Sequence, residues 1–212
     1  MINVFKLAVD ASVVGVYPQV GERWPWSADR WGPDSYTMTP LKGPIEFEII
    51  FPHFVLEDGA KLTDWVSTPN VDRNYLMVST RLMDLLKEYR LDEYQYFPAP
   101  VHTPKGIVDY HLIYFPWPRQ DDFIDWEKSL FKEDNEGVSV ELRFQESRRF
   151  LMENNDNTKM KEAVIFPDKI TMDVFRFTNY RSGFYVSERL KNAMEAAGMT
   201  GILYEVPEWL PR

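Results

Sequence analysis

Proline placement constrains this chain more than any other feature. Of the fifteen prolines in 212 residues, all but Pro167, Pro207 and Pro211 lie between Pro18 and Pro118, and within that span the longest stretch free of them is Asn70 to Phe97. Proline fixes φ and donates no backbone hydrogen bond, so this region cannot be a continuous helical bundle. It has to be short strands, sheet edges and ordered loops. Ile45–Phe51 alternates and then turns solidly apolar, and Ile107–Phe115 is dense in β-branched and aromatic residues, so both read as strands. Val138–Phe144 alternates with Val138, Val140, Leu142 and Phe144 on one face. Ala163–Phe166 and Ile170–Phe177 read as two strands around the tight connection Pro167-Asp168-Lys169.

Two segments carry helical periodicity. Leu82, Leu85, Leu86 and Tyr89 form one apolar stripe behind Ser79, a candidate N-cap, with Lys87 and Arg90 near the C-terminal end. Leu190, Ala193, Met194 and Ala197 repeat that stripe behind Ser187, with Glu188 in the first turn and Gly198 as the stop. Val78-Ser79-Thr80-Arg81-Leu82 falls on Val186-Ser187-Glu188-Arg189-Leu190 at an offset of 108 residues, and Tyr96 falls on Tyr204. Each window reads as strand, capped helix, turn, strand. The expected fold is α+β, a single domain over 1–212 of mixed, mainly antiparallel strands with a few amphipathic helices, with two related helix–strand units as an option. Residues 1–70 form its Pro/Trp-rich strand-and-loop part. Asn154–Lys161 is polar and reads as a loop or an excursion.

The chain has no cysteine, which excludes a disulfide scaffold, a thiol nucleophile and every cysteine-based metal site. Asp plus Glu total 33 against 24 Lys plus Arg, a net charge of −9. That mean field disfavours nucleic acid and anionic membranes and would steer in a basic protein partner. No run of about 18 apolar residues occurs, and the first ten residues lack the apolar stretch of a secretory signal, so a cytoplasmic location is expected.

Chemistry-bearing motifs are scarce. No glycine-rich phosphate loop, serine nucleophile elbow or HExxH pair is present, so no cofactor and no metal are expected. His53 and His111 read as hydrogen-bonded structural residues, while His102, between prolines, is the one histidine in a position to act as a base. Asp121, Asp122, Asp125 and Glu127 surround Phe123, Ile124 and Trp126. They read as a helix start with acids matched to its dipole, as a docking patch for a basic partner, or as an acid–base or metal pair. Trp24, Trp26, Trp31 and Trp117 sit in proline-rich stretches, where they either fill a core or form an aromatic–acidic interaction surface.

Val174-Phe175-Arg176-Phe177, Tyr185-Val186-Ser187-Glu188-Arg189-Leu190 and Ala197-Gly198-Met199-Thr200-Gly201 resemble a bacterial immunity-protein family of polymorphic toxin systems, first catalogued as a domain of unknown function. So do Val78-Ser79-Thr80-Arg81-Leu82, Asp122-Phe123-Ile124-Asp125 and Ala163-Val164-Ile165-Phe166-Pro167-Asp168-Lys169-Ile170. The resemblance runs from about Val71 to Glu205, within a family-like part at 71–212. It implies a cytoplasmic antidote that binds a cognate protein toxin and is not an enzyme. Ser79, Arg81, Ser187 and Arg189 match the family pattern, and capping accounts for the serines. The surface expected to meet the toxin is Trp24, Trp26, Trp31, Trp117, Asp121, Asp122 and Asp125. The alternatives are a homo-oligomeric structural or interaction protein, with a homodimer as one form, and a hydrolase built on His102 and a carboxylate.

Overall fold

The computed structural model describes residues 4–24, 44–68, 75–116, 123–135, 138–144, 158–176 and 183–207. In chain order, β1 (Val4–Val9) leads to a single helical turn, α1 (Ala11–Val14), and then to β2 (Val20–Arg23), β3 (His53–Leu56), β4 (Trp65–Val66) and β5 (Tyr75–Ser79). Helix α2 (Thr80–Leu86) follows directly, then β6 (Gln95–Pro98), β7 (Val101–Thr103), β8 (Gly106–Val108) and β9 (Tyr110–Tyr114). The rest is β10 (Leu130–Asn135), β11 (Val138–Leu142), β12 (Thr158–Glu162), β13 (Val174–Phe175), β14 (Tyr185–Ser187), α3 (Glu188–Ala196) and β15 (Ile202–Glu205). The architecture is α+β and mainly antiparallel, with short helices. Among the described strand pairs only β3 and β7 run parallel, and an isolated parallel bridge joins Leu91 to Val174.

Two of the sheets have the same order and the same register. One runs β4-β5-β9-β6 and the other β13-β14-β1-β15. Val78 lies opposite His111 as Val186 lies opposite Phe5, and Ser79 opposite Tyr110 as Ser187 opposite Val4. Tyr96 pairs with Ile113 as Tyr204 pairs with Leu7. Trp65 pairs with Val78 as Val174 pairs with Val186. The third strand arrives differently in each sheet, since β9 follows the β7–β8 hairpin whereas β1 comes from the N-terminal end.

One core is shared by both of these sheets and both helices. Leu76, Val78, Leu82, Leu86 and Ile113 are buried with Phe184, Val186, Leu190, Met194 and Leu7. Each of the first five takes the same place in its sheet or helix as its counterpart takes in the other. Alternation along the strands turns the remaining residues to the opposite faces. There Met77, Tyr75, Leu112 and Tyr114 pack with Val20, Phe54 and Val101, from the third sheet, β2-β3-β7-β8. Tyr185, Val4 and Phe175 pack with Phe131 and Phe144, next to the fourth sheet, β11-β10-β12. Each buried side chain of this size is worth about 1.5–3 kcal/mol, so three stacked cores far exceed what the helices contribute by propensity.

The structure corrects several expectations. Ile45–Phe51 is not a strand, because prolines 44 and 52 bracket it. At its start Ile45 exchanges hydrogen bonds with the Gln95 side chain at 2.7 and 3.1 Å, and only Ile50 makes a single bridge. Ile107–Phe115 is not one strand but two, broken at Asp109, with β8 in the outer sheet and β9 in an inner one. Ala163–Phe166 makes only an isolated bridge at Ile165, and Ile170–Phe177 narrows to Val174–Phe175. Thr158–Lys161, read from composition as a loop, pairs with β10, whose partners Lys159 and Met160 lie opposite Lys132 and Phe131. Phe123–Ser129 forms a turn and not a helix start. The Asp125 carboxylate accepts from the Lys128 amide at 3.2 Å and its carbonyl from Ser129 at 2.9 Å, and the chain then enters β10.

Candidate functional site

Two carboxylates, Asp64 and Asp173, organise the centre of the molecule. Ser79 accepts from the Leu82 amide at 3.1 Å and donates to Asp64 Oδ1 at 2.8 Å. Ser187 accepts from Leu190 at 3.2 Å and donates to Asp173 Oδ1 at 2.6 Å. Each carboxylate then reaches the chain leaving the other helix. Asp64 Oδ2 accepts from the Thr200 amide at 2.9 Å and its hydroxyl at 3.0 Å, and Asp173 Oδ2 accepts from the Arg90 amide at 3.0 Å. Every aspartate therefore ties the start of its own helix to the exit of the opposite one.

The two arginines follow the same logic. Arg189 donates to both oxygens of Asp173 and lies 4.9 Å over the Tyr89 ring, at the exit of α2. Arg81 sits 3.9 Å from Asp64 and donates to the Ala197 carbonyl, at the exit of α3. Burial would raise the Asp173 carboxyl, but the hydrogen bonds from Arg189, Ser187 and Arg90 outweigh it and hold the group below the usual carboxylate range. Nearby, burial pushes the Arg176 guanidinium down to about 10, still charged at neutral pH, where it lies 5.2 Å from the Phe184 ring. The carboxylates of Asp64 and Asp173, the two serines, Arg81 and Arg189 are spent on one another and on the helix exits, which is the signature of a structural network.

A depression of about 350 Å³ opens elsewhere, lined by Arg23, Trp24, His53, Val55 and His102. Strand alternation builds it, since Phe54 and Val101 face the core while His53, Val55 and His102 face out. Arg23 lies opposite His53 across β2 and β3, and Val55 beside His102 across β3 and β7. The two imidazoles stack at 5.7 Å between centroids, 21° from parallel. Glu57 holds Arg23 at 3.2 Å by lying across Gly21, where a Cβ would come within 1.8 Å of its Oε1.

The depression takes in two residues expected at sites, His102 and Trp24, and brings to them Arg23 and His53. His53 is thereby corrected from a hydrogen-bonded structural residue to an exposed one stacked on His102. Among the described residues no carboxylate lines the depression, so they do not supply the pairing that a hydrolytic reading of His102 needs. Among the described residues no group of three His, Asp or Glu could hold a metal ion. His111 sits 3.3 Å from Thr80 Oγ1 inside β9. Asp125 is mostly buried under Lys128, which stands 2.7 Å away, and the hydrogen bond and charge of Lys128 keep its carboxyl below the usual range. Trp26, Trp31, Trp117, Asp121 and Asp122 lie outside the described residues.

Sequence reasoning missed Asp64 and Asp173, although a signal exists. Asp64-Trp65-Val66 and Asp173-Val174-Phe175 stand in the same place in the two sheets, but the first is 15 residues before its serine and the second 14. That one-residue slip takes the acids out of the 108-residue alignment. Arg23 and His53 could not be paired with His102 from sequence, because the strands that meet lie tens of residues apart along the chain.

Residues 10–207 match the sequence model of Imm11, an immunity protein family. No curated protein matches the chain.

Proposed function

From the premise that the chain belongs to the Imm11 immunity protein family, we propose that it binds a cognate protein toxin and neutralises it by covering a surface of that toxin, without turning over a substrate. The observation that carries this reading is the family match over nearly the whole chain. The spent polar network at Asp64 and Asp173 and the depression at His102, lined by no acid among the described residues, are in keeping with a binding role. The net charge of −9 suits a basic toxin, steered in at long range. The reading places the protein in the cytoplasm as the antidote of a polymorphic toxin system. The matching order and register of the two inner sheets support two related units built around one shared core, and so one domain.

The test is co-expression with the product of the adjacent gene. Growth should be rescued and a stable complex should co-purify. A harmless neighbour and no complex would leave the family match reporting fold alone.

The acidic and tryptophan-rich surface is a further element of this reading, with Trp24, Trp26, Trp31, Trp117, Asp121, Asp122 and Asp125 as its members. Because Asp125 is engaged by the Lys128 amide and ammonium, the decisive change is Asp121→Lys with Asp122→Lys. Association with the toxin should slow about tenfold at low salt, and the difference should shrink as salt shortens the Debye length. An unchanged association rate in stopped-flow measurements would remove these acids from the interface.

A further inference from the structure

We propose that the outer face of β2, β3, β7 and β8 docks the toxin, and that its cluster of Arg23, His53 and His102 receives a carboxylate side chain from it. The proposal rests on the immunity reading above and adds to it the surface and the group recognised.

Charge is the first argument. In a chain of net charge −9, three residues able to carry positive charge converge on a depression lined by no acid among the described residues, with Glu57 bonded to Arg23 and Glu22 lying 3.4 Å from the Trp24 ring nitrogen at its edge. Arg23 and His53 face each other across one strand pair, and His53 stacks on His102 across the next. The Arg23 guanidinium, whose charge Glu57 offsets in part, disfavours a cation beside the imidazoles and draws an anion. Glu57 takes part of Arg23 and also fixes it. The guanidinium is held by Glu57 at 3.2 Å and by the Glu22 carbonyl at 3.3 Å before any partner arrives. A side chain already held loses less entropy on binding. Gly21 is what permits this, since any side chain there would displace Glu57.

Shape and apolar surface give the second argument. The residue across from His102 on β8 is Ile107, which is 63% exposed. Together with Val55 and Trp24 it frames the cationic cluster with apolar surface, and arginine and tryptophan are the residues that dominate interface energetics. A depression of about 350 Å³ is large enough for one acidic side chain and its neighbour, at the low end of what small-molecule sites occupy. The long-range field and this local cluster act at different distances. The net negative charge gathers a basic partner, and within a Debye length of about 8 Å the depression presents the opposite sign to one of that partner's acids.

The chain has three histidines, so their ring protons report on the site directly by NMR, with His111 in β9 as an internal reference. Titration with a short glutamate-rich peptide should move the His53 and His102 signals and leave His111 in place. A lysine-rich peptide of the same length should move none of them, and Arg23→Gln should weaken the glutamate response several-fold. Equal response to both peptides, or none, would overturn the proposal. So would inorganic phosphate moving the two signals at lower concentration than the peptide, which would identify a free-anion site. With the toxin from the co-expression complex, Arg23→Gln with His102→Gln should raise Kd about 30-fold or more, the scale of a hot spot. An unchanged Kd with an unshifted His111 signal would overturn it as well. If the unaltered chain captured no toxin, the immunity reading would fall, while the peptide titration would still decide what the depression binds.

Discussion

Asp173→Ala should lower the free energy of unfolding by about 3 kcal/mol, and Asp64→Ala by a similar amount. In each case one largely buried carboxylate is lost together with the partner of a backbone N–H, that of Arg90 or of Thr200, and of a serine hydroxyl. A donor left without a partner in a buried setting costs more than the bond was worth, which places these changes well above an ordinary surface substitution. The control is Asp84→Ala, which removes an exposed ion pair to Lys87 and should stay within about 0.5 kcal/mol. Urea unfolding of the three variants decides the matter. Equal losses for Asp173→Ala and Asp84→Ala would mean that the clasp does not hold the helices.

The same aspartate sets an acid limit. The Asp173 carboxyl is lower in the folded chain than its ordinary value, so the folded state favours the ionised form. Its stabilisation is complete above the unfolded value of about 3.9 and is lost as pH falls through the lower native value. Between about pH 5 and pH 2 the unfolding free energy of the parent chain should therefore fall more steeply than that of Asp173→Ala. Parallel curves would show that the hydrogen bonds to Asp173 do not favour its charge.

Gly201→Ala should be as damaging or more so, at about 4 kcal/mol, because two penalties coincide. The residue has φ +82°, where a Cβ is strained, and that Cβ would lie 2.5 Å from the Trp65 carbonyl oxygen and 2.3 Å from Thr63 Oγ1. This is where the chain leaving α3 passes against β4, so no flexible side chain can yield enough space. Gly198→Ala separates the two penalties. It also has positive φ, at +63°, but a Cβ there meets only the far end of Arg81 at 3.8 Å, and about 1 kcal/mol is expected. Thermal unfolding showing the same shift for both would put the whole cost on conformation and none on the contact with β4.

Periodicity and capping chemistry were legible in the sequence wherever a local rule governed the outcome. The stripe from Leu82 and the stripe from Leu190 are helices that begin after Ser79 and Ser187, because a hydroxyl three residues before an open amide stabilises that start whatever surrounds it. Alternation located the strand at Val138–Leu142. Apolar density misled at Ile45–Phe51, where flanking prolines and the Gln95 side chain replaced a strand partner. It misled again at Ile107–Phe115, where both halves are strands but belong to different sheets. Patterning reports that a residue wants burial and does not say against what.

The sequence by itself determined the cysteine-free acidic chain, the two capped helices and their spacing of 108 residues, since each follows from residues in view of one another along the chain. Only the tertiary structure decided that β9 and β1 fill the same place in two sheets and that Asp64 and Asp173 bind the opposite helix exits. It alone also set Arg23 beside His53 and His102. Those pairings join segments tens of residues apart, and their selection rests on burying three cores at once, a condition that no local stretch of sequence contains.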